Sequence, residues 1–303
     1  MNLRKNLPSI GLGVAGALAV TLATTMPAAA QPKAYVSCAV SDLIDAIDQA
    51  NAGGGGSLLL TPGCTYQLTA AENADDGLPE ITTPINILGA GATITRAASA
   101  PDFRIFHVTG SGNLNLTALT VSGGSVTGSG GGILNEGQLT LNASFIGRNA
   151  ASDVGGGLAN TGTANVNAGT RLASNTAVAG GGGLHNAADA LTRVSASSVD
   201  HNTVTGEGAQ GGGVLNAGGT LQGASSAFGS NSALAEGATG GGIATLGGSV
   251  TLTLGTVESN RSDTAPGGIY NDNSTVTLTL VPVFNNNPTN CSGSPDPVPG
   301  CLG

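Results

Sequence analysis

Histidine, acid and base are scarce in this sequence, so the places where side-chain chemistry could occur are few. Of 303 residues, 9 are lysine or arginine, 18 are aspartate or glutamate and 3 are histidine. The best local cluster is His185, Asp189, Asp200 and His201. Imidazoles beside carboxylates can move protons or hold a metal ion. Yet His185 follows the apolar Leu184 and His201 precedes Asn202, so both are expected to face solvent as ordinary surface residues. The remaining acids of the same region are Glu136, Asp153, Glu207, Glu236, Glu258, Asp263 and Asp272, and its arginines are Arg148, Arg171, Arg193 and Arg261. Few of these share a phase in the repeat described below, so few would stack into one site. Past the first thirty residues Lys33 is the only lysine. The sequence therefore offers no catalytic set, no metal-ligand set and no sign of a cofactor. The glycine clusters are not phosphate loops, because no Gly-Lys-Ser/Thr follows them.

The element that must position these residues is a degenerate repeat. A glycine cluster, an aliphatic residue, a variable residue and usually Asn read Gly130-Gly131-Gly132-Ile133-Leu134-Asn135. The unit recurs at Gly155 to Asn160, Gly181 to Asn186 and Gly211 to Asn216; Gly240 to Thr245 loses the Asn, and Pro266 to Asn271 loses a glycine. The aliphatic positions 133, 158, 184, 214, 243 and 269 lie 25 to 30 residues apart. About 15 residues after each comes an apolar residue, two variable residues and Asn, ending at Asn149, Asn175, Asn202, Asn231, Asn260 and Asn286. Between the two lie period-two stretches such as Val276-Thr277-Leu278-Thr279-Leu280, which read as strands.

One repeat thus predicts three short strands with Gly- and Asn-rich turns. Alone it buries too little apolar surface to offset the ordering of its backbone. Stacking equivalent strands about 4.8 Å apart satisfies their backbone groups and aligns like residues in columns. The expected fold is all-β, a right-handed parallel β-helix. Aliphatic columns fill it, and two Asn columns form ladders: Asn135, Asn160, Asn186, Asn216 and Asn271, and Asn149 to Asn286. Helical solenoids are excluded by the glycine triplets and Thr-alternating strands.

The chain divides into an export signal over 1–30, an N-terminal cap over 31–56, irregular first coils over 57–128, regular repeats over 129–290 and a Pro-rich tail over 291–303. Arg4 and Lys5, the apolar run from Ile10 to Ala23 and Ala28-Ala29-Ala30 make up the signal, so the mature chain is expected to begin at Gln31, secreted and without a transmembrane segment. Within the cap, Ser41 is expected to cap a short helix from Asp42 to Ala50 with Leu43, Ile44 and Ile47 on its apolar face. Upstream strands are expected over Ser57 to Leu60, Ile85 to Leu88, Ala92 to Thr95, Arg104 to Val108 and Leu114 to Val121. Four cysteines sit in two pairs at the two ends, which favours Cys38 with Cys64 and Cys291 with Cys301 in an oxidising compartment.

Removing Arg4 and Lys5 leaves 7 bases against 18 acids, a net charge near −11, which argues against nucleic acid or anionic membrane as a partner. Disorder is disfavoured, since 40% of residues are hydrophobic and only 9% charged. Fifty-one glycines, no tryptophan and few aromatics suit many near-identical tight layers.

At these residues a family likeness enters. The Gly-Gly-Gly-Ile/Leu/Val and apolar-x-x-Asn elements resemble polymorphic outer membrane protein repeats, and Phe228-Gly229-Ser230-Asn231 matches their second motif in full. The glycine run followed by Thr-Pro-Gly-Cys-Thr-Tyr at 61 to 66 is similar to secreted β-helix repeat proteins. The resemblance implies a parallel β-helix and a surface or adhesive role. A secreted, non-catalytic scaffold binding glycan, cell wall or protein is the preferred reading; the alternative is a polysaccharide lyase or glycoside hydrolase of the pectin-degrading β-helix type. Because strand side chains alternate, the residue after each inward aliphatic is expected to point out. Leu134, Ala159, His185, Leu215, Ala244 and Tyr270 would then form an apolar binding stripe, unless a loop or the tail covers it.

Overall fold

The computed structural model describes residues 35–303, so the expected export signal lies outside the described residues. The described chain is an all-parallel β-solenoid preceded by one helix, with strands that stack on four faces. The first and second sheets have nine strands each, the third six and the fourth seven. Each regular coil visits them in that order, as in Gln138–Asn142, Phe145–Gly147, Ala150–Ala151 and Leu158–Asn160. The expectation of three strands per repeat misses the third sheet, whose two-residue strands are too short to show a period.

Register follows the sequence repeat. Ile133 stacks on Leu158 and Leu158 on Leu184; Ile146 stacks on Leu172 and Leu172 on Val199. These columns are fully buried and join with Leu114, Leu139, Val166 and Leu221 of the first sheet into one continuous core. Corners are turned by residues in the left-handed region, many of them not glycine. Ala118, Ala143, Ala168, Ala196, Ser225 and Leu254 mark the corner between the first and second sheets. Ala118 therefore splits the expected Leu114 to Val121 strand into Asn113–Thr117 and Thr120–Ser122. Where glycine is indispensable, space decides as much as φ. Gly155 has φ +67°, and a Cβ on the next glycine, Gly156, would sit 2.3 Å from the Thr176 carbonyl oxygen.

The N-terminal helix spans Val40–Ala52 and buries Leu43, Ile47 and Ala50. It begins two residues before the expected start, with Ala39 as N-cap and no side-chain cap. Ser41 falls inside the first turn, and Ser37 instead accepts the Ala39 N–H and donates to Asp42. Cys38 is bonded to Cys64 and Cys291 to Cys301, with Cα atoms 5.5 and 6.2 Å apart, the local pairing expected. Among the described residues no helix is long and apolar enough to cross a membrane.

Candidate functional site

Both Asn columns exist as buried ladders. In the second, Asn149 Nδ2 donates to Asn175 Oδ1, Asn175 to Asn202, Asn202 to Asn231, Asn231 to Asn260 and Asn260 to Asn286, at 2.9 to 3.0 Å. Each amide also donates to a carbonyl one coil away, as Asn202 Nδ2 does to Leu172, and each Oδ1 accepts a backbone N–H as well. The ladder ends on Asn290, which the repeat pattern did not include. The first ladder runs through Asn135, Asn160, Asn186 and Asn216 and then passes to Thr245. Asn271 is in register with Thr245 but donates to the Pro297 carbonyl in the tail. These buried residues hold coils together, and among them the Oδ1 atoms of Asn135 and Asn271 have no hydrogen-bond partner.

The expected binding stripe is not an open face. Its residues do stack in register and point away from the main core, but Ala159, Leu215 and Ala244 are 1, 7 and 0% exposed. Leu134, His185 and Tyr270 are half-buried. The cover is the loop that follows each third-sheet strand. Its residues Val154, Gly180, Gln210 and Thr239 form their own ladder of bridges. A Cβ on Gly180 would lie 2.5 Å from Leu215 Cδ2, and one on Gly240 would lie 3.0 Å from Tyr270 Cβ. Loop glycines thus let the backbone lie directly on the stripe. Beside it, Ala177, Val204 and Ala233 of the third sheet pack with the loop residues Ala209 and Ala238 in a second, small core.

The cluster His185, Asp189, Asp200 and His201 is divided by the fold. His185 is on the covered column, where burial pushes its pKa down. Asp189 turns a corner with φ +62°. Asp200 receives Arg171 Nε at 2.8 Å and His201 Nδ1 at 2.8 Å. Burial opposes its ionisation, but hydrogen bonds from Arg171, Ser198 and His201 outweigh that and hold its carboxyl below the ordinary range. His201 occupies the left-handed corner before Asn202, which turns its ring out to solvent.

A different cluster forms at the N-terminal end of the fourth sheet. Phe106-His107-Val108 is in register with Ile133-Leu134-Asn135, so His107 heads the stripe column. Ile81 bridges Val108, which places Glu80 opposite His107 one coil earlier. Asp76 bridges Arg104, and their side chains form a buried ion pair at 2.5 Å. His107 Nδ1 lies 3.4 Å from Asp76 Oδ2 and 3.5 Å from Glu80 Oε1, and its Nε2 lies 3.5 Å from Glu136 Oε2. Burial works against the Asp76 charge, but bonds from His107, Arg104 and Asn73 lower its pKa; the bond to Asp76 raises that of His107. Three of these residues, Asp76, Glu80 and His107, bring one ligand atom each within 4.8 Å of one another, a grouping the sequence did not single out. The repeat fades in this region, which hides the cluster; extending the aliphatic column one period back from Ile133 to Phe106 is the signal that finds His107.

Another open feature among the described residues is the outward side of the first sheet. Its middle column runs Asn115, Thr140, Asn165, Arg193, Gln222 and Thr251 in register. Flanking columns run Gln138, Thr163, Leu191, Thr220 and Ser249 on one side and include Asn142, Asn167, Ala224 and Thr253 on the other. Arg193 is the single charged residue in the nine strands, and none is aromatic. Around the corner from this face, a shallow groove of about 540 Å³ runs over Gly169–Arg171, Ala196–Ser198, Ser225–Ala227 and Leu254–Thr256.

No family model matches the chain. No curated protein matches it either. Among solved structures, the crystal structure of a pectate lyase is similar at 14% identity and a TM-score of 0.38, covering 83% of this chain and 75% of that one.

Proposed function

We propose that this protein is a secreted, non-catalytic scaffold that binds a neutral, hydroxyl-rich polymer, such as a glycan chain of a cell surface, along the outward face of its first sheet. The carrying observation is the predominance of uncharged hydrogen-bonding residues in the columns on that face, broken by Arg193, Leu191 and Ala224, with one charge in nine strands. Hydroxyl and amide side chains are both donors and acceptors, so they can exchange water for sugar hydroxyls with little penalty. A face with no field of one sign gives no preference for a charged polymer. Each contact is weak, but repetition about every 4.8 Å lets an extended chain engage many at once. The repeat resemblance, which implies a surface role, agrees with this reading.

The test is co-sedimentation of the mature protein with insoluble neutral polysaccharides, with polygalacturonate and protein-coated beads as comparisons. Retention on a neutral polymer is expected. A triple variant, Thr140→Glu, Asn165→Asp and Gln222→Glu, should keep its melting temperature and lose retention, because outward positions carry no core packing. The reading fails if no neutral polymer retains the protein or if the charged variant is retained equally.

The enzyme alternative has one observation in its favour, the carboxylates around His107. Against it, the described residues contain no lysine, and Arg104 is already paired with Asp76. Release of soluble saccharide by the protein, abolished in His107→Ala, would replace the scaffold reading with this one.

A further inference from the structure

We propose that Asp76, Glu80 and His107 form a binding site for a divalent metal ion of the zinc class, independent of the glycan-binding face. The ligand set is one imidazole nitrogen and two carboxylates, a mixture suited to zinc and its neighbours and less to the oxygen-seeking calcium or magnesium. Their spacing fits. Bonds of about 2.0 to 2.1 Å around a tetrahedral ion put neighbouring ligand atoms about 3.3 to 3.4 Å apart. His107 Nδ1 is 3.4 Å from Asp76 Oδ2 and 3.5 Å from Glu80 Oε1, long for charge-assisted hydrogen bonds but close to that edge.

The surroundings fit as well. Metal-bound histidine generally gives its second N–H to a carboxylate, which fixes the ring. His107 Nε2 is buried without a hydrogen bond, and the carboxylate of Glu136 stands 3.5 Å from it on a half-exposed side chain free to align. Arg104 and Asn73, at 2.5 and 2.9 Å, hold the Asp76 carboxylate in place. Asp76, Glu80 and Glu136 set three carboxylates around His107 against the single guanidinium of Arg104, an excess of acid that suits a cation. Glu80 is 45% exposed, so the fourth position of the ion opens to water, the arrangement of a three-ligand site. The ion would tie the segment around Asp76 and Glu80 to the coil carrying His107, where single bridges at Asp76 and Ile81 make the pairing sparse.

The experiment is equilibrium dialysis and calorimetry of zinc chloride against the chelator-treated, full secreted chain. One zinc per chain with micromolar affinity is expected, together with a rise in melting temperature of several degrees. Glu80→Gln and His107→Ala should each weaken binding at least tenfold, while His185→Ala and His201→Ala leave it unchanged. Circular dichroism of each metal-free variant checks folding. Should His107→Ala misfold, the half-exposed Glu80→Gln decides by itself. The proposal is overturned if uptake does not saturate, if either folded variant at the site keeps the parent affinity, or if either control histidine abolishes it.

Discussion

His185 stacks between Ala159 and Leu215 on the covered column, where loss of water pushes its pKa below that of a free imidazole. The unfolded chain therefore binds the proton more readily than the folded one. The contribution of His185 is fully present above about pH 6.5, the unfolded value, and is lost as pH falls toward the lower folded value. Urea midpoints of the parent should drop as pH falls below about 6.5. His185→Leu, which repeats its neighbour Leu215, should be at least as stable at neutral pH and lack that part of the drop. Parallel curves for the two proteins would refute the assignment. His201 faces water, and Asp200 is balanced by Arg171, so the triple variant His185→Ala, Asp200→Ala and His201→Ala should leave polysaccharide retention unchanged.

The Asn ladder is the element whose loss is felt furthest. Asn202 accepts from both the backbone N–H and the side-chain amide of Asn175, and donates to Leu172 and Asn231. Asn202→Ala strands several buried polar groups, each worth about 1 to 3 kcal/mol, so a loss of about 3 kcal/mol or more is expected. Asn165→Ala, on the outward face of the first sheet, should cost less than about 0.5 kcal/mol. Urea denaturation of the two variants checks the contrast; equal effects would mean that the ladder is not the stabilising element. Hydrogen exchange should show the protected amides concentrated along Asn149 to Asn260, whose backbone N–H groups are capped by the ladder.

On the scale of the whole molecule, a stack of coils has two open ends, and both are closed here. The helix and the Cys38–Cys64 bond close one; at the other, Ile269 and Gly267 donate to Asn290 and Thr289, and Val298 packs into the core. Loop closures of 26 and 10 residues should each stabilise by about 3 kcal/mol, and peptide mapping of unreduced protein should find these two bonds with no cross-link between the ends. Deleting residues 288–303 uncovers the strand edge at Ile269–Asp272, which Asn290, Ser294 and Asp296 now pair. Exposed edges pair with other chains, so the truncated protein should form larger species in light scattering than the parent does. An unchanged size distribution would show that the tail does not guard the edge.

The spacing of Ile133, Leu158 and Leu184, and of Asn149, Asn175 and Asn202, was enough to determine a parallel solenoid, because a fold of identical layers writes its register directly into sequence period. The cysteine pairing was legible for a related reason, since each pair closes a local end. Only the tertiary structure decided what covers the outward column, because alternation tells which side of a strand a residue takes and not what lies on that side. Leu215 was read as exposed and is buried under Gly180. It also decided where charge gathers. His185 and Asp200 are near in sequence yet fall on different faces, whereas the segment carrying Asp76 and Glu80, the coil of His107 and the coil of Glu136 meet only because they stack.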